Sequence, residues 1–257
     1  MTMRLSTGLR NFLANGASYA GALENGRIEI YTGAQPASAD AAVQGTLLCT
    51  ITNASGALTA ETASTGTVTL AGSAGSVNTI TVNGINILGP NAVPFDGTLA
   101  QTALDVAAAI NNSRVWPRYT ASASGAVVTI AGTASAGAGP NGFTVAGTLT
   151  TMTATYANMA GGVNPVNGLQ FAAASAGAVS KLAAQVWSGL NVATGTAGWF
   201  RQYGPFTDAG ALDSAGVFAR VDGAIATSGG EMNLNSTAFT SGATTTVQTG
   251  TLTVPSQ

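Results

Sequence analysis

The residues of this sequence with the most chemistry to offer are four carboxylates, Asp208, Asp213, Asp222 and Glu231. Paired carboxylates can carry glycoside hydrolysis, and clustered ones can hold calcium. Their spacing matches no calcium-loop pattern. Asp, Glu, Lys and Arg together make up only 7% of the 257 residues, so the acids are needed for solvation and are expected in solvated loops. Histidine is absent, Lys181 is the single lysine and Cys49 the single cysteine. No Ser-His-Asp triad, zinc site or P-loop can be written from such a set, and one cysteine allows no intrachain disulfide. Ser73, Ser124 and Ser228 adjoin glycines, but none sits in a G-x-S-x-G elbow. The glycine-rich run at 136–142 lacks the Lys and Ser/Thr that complete a phosphate cradle. The expectation is a non-enzymatic chain with no catalytic, cofactor-binding or metal-binding residues and no cofactor.

Rings are the other candidates. Trp116, Trp187, Trp199, Tyr203 and Phe206 suit a sugar-binding face or a subunit contact, with core packing as the alternative for Trp187 and Trp199. Cys49, within an apolar run, reads as a buried small residue. Eight basic and ten acidic residues leave a net charge of −2 and no basic stripe, so neither nucleic acid nor an anionic membrane is an expected partner. Arg4 and Arg10 are not followed by a continuous apolar stretch, and nowhere do about 18 apolar residues run together, so neither a signal peptide nor a membrane span is expected.

Around these residues the sequence is mostly strand. In residues 27–31, Ile28 and Ile30 share one face while Arg27, Glu29 and Tyr31 share the other, the pattern of a half-buried strand. Residues 197–203 read as another strand, in which Trp199, Arg201 and Tyr203 share one face and Phe200 takes the other. Further strand-like runs lie at 45–51, 66–71, 78–82, 85–88, 126–131, 142–145, 217–225, 231–239 and 244–254. Asn83-Gly84, Asn141-Gly142, Asn167-Gly168 and Asp222-Gly223 supply turn residues, and Asn83-Gly84 predicts a two-residue hairpin.

Helical spacing is confined to a few segments. Leu99, Ala103, Val106 and Ile110 lie on one helical face, and Thr98 with Gln101 forms a capping-box pattern. Leu5, Leu9 and Leu13 repeat every four residues near the start, and residues 176–186 are a weaker candidate. The whole predicts a mainly β chain: an antiparallel β-sandwich or jelly-roll-like outer domain, residues 1–60 and 164–257, with a small α+β domain inserted at 61–163. Two sequential domains are the alternative.

Residues 5–11, 28–48, 184–200 and 226–247 resemble a family of small virion-associated structural proteins of tailed bacteriophages. Residues 79–88, 99–112, 119–130 and 139–142 are similar to a β-α-β insertion of phage tail and other virion proteins, including contractile-tail sheaths. The resemblance implies a non-enzymatic structural protein of the virion, assembled in the host cytoplasm. It is expected to be a capsid decoration or cement protein on the head surface, whose partners are its own copies and the major capsid protein. The alternatives are a neck or tail component, in contact with other neck or tail proteins, and a host-glycan-binding module. A leucine stripe too short to be stable alone makes residues 4–15 an expected interface arm, removable without loss of the β fold.

Overall fold

The computed structural model describes residues 3–14, 18–113, 115, 117–133 and 136–253; Trp116 lies outside them. The chain is mainly antiparallel β, with 43% of the described residues in strands and 11% in helices. It divides into two compact units, residues 1–61 with 165–257, and residues 62–164.

The first unit opens with β1 (Arg4–Leu5), α1 (Thr7–Ala14), α2 (Tyr19–Leu23), β2 (Arg27–Thr32) and β3 (Leu47–Asn53). The second holds β4 (Thr65–Ala71), β5 (Ser76–Val82), β6 (Ile85–Asn86), β7 (Val93–Pro94), α3 (Leu99–Asn112), β8 (Tyr119–Ser124), β9 (Val127–Gly132), β10 (Val145–Thr150) and β11 (Thr153–Ala160). The chain then returns to the first unit for β12 (Ala178–Ser180), β13 (Trp187–Leu190), β14 (Gly195–Tyr203), β15 (Arg220–Ala226), β16 (Met232–Asn233), β17 (Ala238–Phe239), β18 (Thr244–Val247) and β19 (Thr251–Thr253).

In the second unit one sheet runs β10-β5-β6 with β7 beside β5, and another runs β11-β4-β9-β8. Strand alternation places Val68, Ile80, Val82, Val128 and Ile130 in its core with Val106 and Ile110 of α3. The Thr98 hydroxyl accepts from the Gln101 N–H at 3.1 Å, satisfying an orphan donor of the first turn. The reciprocal half of the capping box is not made, because the Gln101 side chain donates to Asp105 instead. Asn83 and Gly84 take φ of 49° and 79° between the paired Val82 and Ile85, the left-handed pair that a two-residue hairpin requires.

In the first unit the principal sheet runs β1-β15-β14-β2-β3-β13-β18, with β16 beside β15 and β17 beside β14. Ile28, Ile30, Cys49, Ile51 and Phe200 belong to a core completed by Leu169, Phe171, Met232, Leu234 and Phe239. Several expectations are corrected here. Asp222-Gly223 is no turn but the middle of β15, and a Cβ on Gly223 would stand 2.5 Å from the Phe200 ring; glycine is there for close packing. Residues 176–186 are not helical, and contain β12 followed by turns. The runs 231–239 and 244–254 each break into two short strands.

The N-terminal segment is built into this unit rather than held apart. Leu9 and Leu23 are fully buried with Val221. The buried Ser6 hydroxyl donates to the Phe218 carbonyl and accepts from the N–H groups of Leu9 and Arg220. Gly8 lies so close to the Phe218 backbone that a Cβ would clash at 2.4 Å. Tertiary burial supplies what the short helix lacks by itself. Leu9→Ala is therefore expected to lower stability by about 2–5 kcal/mol, read as a shift of the urea-unfolding midpoint; an unshifted midpoint would restore the removable-arm view.

Candidate functional site

The alternation in β2, β14 and β15 puts an unusual set of side chains on the second face of the principal sheet. Register aligns Arg4 with Asp222, Asp222 with Arg201, and Arg201 with Glu29, so charges of alternating sign cross four adjacent strands. The next row aligns Arg220, Tyr203 and Arg27, and the row on the other side aligns Trp199 with Tyr31. Opposite charges directly across an antiparallel ladder attract, whereas like charges would repel.

These groups are covered. Arg201 and Asp222 are completely buried and joined by two hydrogen bonds of 2.7 Å. Arg220 and Asp208 form a second two-bond pair, also at 2.7 Å, with side chains 1% and 4% exposed. Arg27 pairs with Glu29 at 2.6 Å and lies 4.0 Å over the Tyr203 ring. The Tyr31 hydroxyl donates to Glu29, and the Tyr31 ring stacks on Trp199 at 4.7 Å.

Two loops form the cover. Carbonyls of residues 36–44 accept from the sheet below: Pro36 from Arg4, Ala41 from Arg201 at 2.9 Å, and Gln44 from the Trp199 indole at 3.2 Å. The Asp40 carboxylate accepts from the Thr7 N–H and hydroxyl. In the loop at 204–219, the Asp208 carbonyl accepts from Arg27 at 2.6 Å, and the Asp213 carboxylate accepts from the N–H groups of Val217 and Phe218. The loops bond to each other through Val43 with Gly210 and Asp213 with Asp40.

The expectation of solvated acidic loops is thus corrected: Asp208, Asp213 and Asp222 are buried, and Glu231 is half-buried with one oxygen accepting from the Ala224 N–H. The expected half-buried face of β2 is likewise covered, with Tyr31 only 5% exposed. Burial weakens the Arg201 charge, but the Asp222 carboxylate more than offsets it and keeps the guanidinium charged. Burial, aided by the Glu29 charge, raises the Tyr31 and Tyr203 hydroxyls, which stay protonated. Burial works to raise the Asp213 carboxyl, and the Phe218 and Val217 N–H groups with the Arg220 charge overcome it, leaving the group below its usual range.

The remaining candidates are placed as follows. Trp187 and Trp199 are 3% and 0% exposed and belong to the interior, as does Tyr203, while Phe206 is half-buried. Cys49 is fully buried, and burial raises its thiol to about 12. Ser73, Ser124 and Ser228 are exposed and scattered. The 136–142 loop closes on itself and on nearby side chains, with Asn141 accepting from Ser64 and the Gly162 N–H, and Ala138 donating to Asn164. Among the described residues no group of three or more His, Cys, Asp or Glu is placed to hold a metal. One cavity of about 380 Å³ lies in the first unit, lined by Trp187, Phe200, Glu231, Met232 and Leu234. Another of about 550 Å³ in the second unit has Leu88, Pro90, Val93, Ala109 and Val115 in its walls. Neither gathers a set of titratable groups.

No protein-family model matches the chain, and comparisons with curated proteins and with solved structures give no match.

What the buried face can do is fix strand register and hold two loops. Breaking one partner of a buried pair leaves an uncompensated charge, whereas removing both avoids that cost. Asp222→Asn is expected to cost about 3–5 kcal/mol in urea unfolding, and Arg201→Met with Asp222→Leu less than the single change. Equal or greater loss in the double variant would contradict this account. The depressed Asp213 carboxyl contributes stability that is present above its unfolded value of about 3.9 and is lost as pH falls from there through the lower folded value. Asp213→Asn should therefore flatten the acid limb of a stability-versus-pH curve; an unchanged slope would argue against it.

Proposed function

We propose that this chain is a non-enzymatic structural protein of a tailed-phage virion, a decoration or cement protein on the head surface that binds its own copies and the major capsid protein. The observation that carries the proposal is where the charges go. Among the described residues only Arg10, Asp96 and Arg118 are charged and well exposed, while six charged side chains are buried outright. The outer surface is left mostly to hydroxyl, amide and apolar groups, the last including Leu190, Val192, Leu212 and Val217. Such a surface has little long-range repulsion and suits docking in a symmetric assembly. The segments resembling virion proteins at 5–11, 28–48, 184–200 and 226–247 all belong to the first unit, which we take as a sandwich-like outer domain with the second unit as its α+β insertion. Lysine-poor, acidic composition fits a position away from packaged DNA.

The second unit's resemblance to insertions of tail proteins favours a neck or tail location as the alternative. A glycan-binding role has less to stand on, since Trp187, Trp199 and Tyr203 are buried and offer no ring face to a sugar. Antibody-gold labelling of intact virions with serum against the purified protein distinguishes these. Label spread over the head is expected; label confined to the neck or tail would select the alternative, and unlabelled particles with accessible epitopes would overturn the virion assignment.

A further inference from the structure

Edges of a β-sheet offer unpaired backbone groups to any passing strand, and proteins blunt them with short strands, charge, proline or a covering element. Several edges among the described residues carry such a device. At one end of the principal sheet β1 has only two residues, one of them Arg4, and continues into α1. In the second unit the Asn111 amide both donates to and accepts from the Ala121 backbone of β8 at 2.8 Å. Met159 near the end of β11 donates to the Phe143 carbonyl just ahead of β10, and β7 contains Pro94. The opposite end of the principal sheet differs. There β18 pairs, among the described residues, only with β13, carries the sequence Thr-Thr-Thr-Val, and has neither charge, proline nor bulge. Thr244 and Thr246 are exposed on it, and Leu190, register partner of Thr244, is 55% exposed.

We propose that β18 is the contact through which a second copy of this chain adds to the sheet. Antiparallel pairing of identical strands is generated by a two-fold axis perpendicular to the sheet, which keeps the apolar faces of both copies on one side. Faces match only if the axis passes through a residue, because opposite residues must point the same way. With the axis at Thr245, the ladder consists of Thr245 against itself and Thr244 against Thr246 twice, while the buried Val247 stays in its own core. Threonine pairs of this kind are favourable across strands. The absence of any charge on the strand means that self-pairing brings no like charges together. A three-pair ladder is small beside the roughly 1,000 Å² of a stable interface, so the dimer is weak, with Leu190 of each copy adding apolar area beside Thr244. This pairing does not depend on where the protein resides in a particle.

The test is the mass of the full chain by light scattering after size-exclusion chromatography, up to several hundred micromolar. The native protein is expected to approach twice its 25.2 kDa chain mass as concentration rises. Thr244→Lys with Thr246→Lys sets like charges opposite each other at both ends of the ladder and should hold the chain at one mass. The matching Thr244→Glu with Thr246→Glu variant should do the same, and mixing the two should restore the dimer through opposite charges. That recovery also distinguishes lost pairing from lost folding. A native monomer at every concentration, a stoichiometry other than two, a dimer indifferent to the lysines, or a mixture that stays monomeric would each overturn the proposal.

Discussion

The Arg201–Asp222 pair is the interaction on which the first unit depends. Both groups are fully buried, and an unpaired charge in that position is costly enough to consume a large part of a domain's stability. The pair forms only when β14 and β15 are in one register, and Arg4 and Glu29 flank it on the neighbouring strands. A slip of one residue would turn the charged row onto the apolar face and the isoleucines onto the polar one. The row therefore acts as a register mark for four strands at once, and the same guanidinium reaches out to the Ala41 carbonyl to hold the covering loop.

The covering loops follow from this arrangement. A charged face buried under an ordinary apolar layer would leave donors unsatisfied, which the interior tolerates poorly. Residues 36–44 and 204–219 instead present backbone carbonyls and the Asp208 carboxylate to it, while the Asp213 carboxylate ties the second loop to itself through the Val217 and Phe218 N–H groups. Loop backbone is suited to this role because its own hydrogen bonds are not spent in a ladder. The consequence is a sheet with two different interiors, one held by apolar contact and one by hydrogen-bonded charge.

Charge drawn inward leaves little outside, and this links the core to the proposed assembly role. A domain that exposes few charges lacks the usual protection against association. The protection that remains is local: Arg4 and the brevity of β1, the Asn111 clasp on β8 and Pro94 on β7. The β18 strand, which carries neither charge nor proline, has only small, uncharged groups to offer a partner. Surface composition and edge treatment thus point toward association, the first generally and the second at a particular strand.

Much of the local structure was legible in the sequence because local rules decide it. Alternation at 27–31 and 199–203 separated the correct faces, Asn83-Gly84 specified its hairpin, and Thr98 with the Leu99–Ile110 stripe specified α3, since these depend on periodicity and φ preferences within a few residues. Threonine- and alanine-rich β10 and β11 were missed because their apolar and polar positions differ too little to reveal a period. The destinations of Asp208, Asp213 and Asp222 were not legible. Arg201 lies twenty-one residues from Asp222 and reaches it only through the pairing of β14 with β15, Arg220 meets Asp208 only because the loop at 204–219 folds back over the sheet, and Asp213 is buried within that same loop on the Val217 and Phe218 N–H groups. The sequence alone determined that polar and apolar side chains alternate on these strands; the tertiary structure decided that the polar face would be buried, because a charge can leave water only where an opposite charge and enough hydrogen-bond partners are already in place.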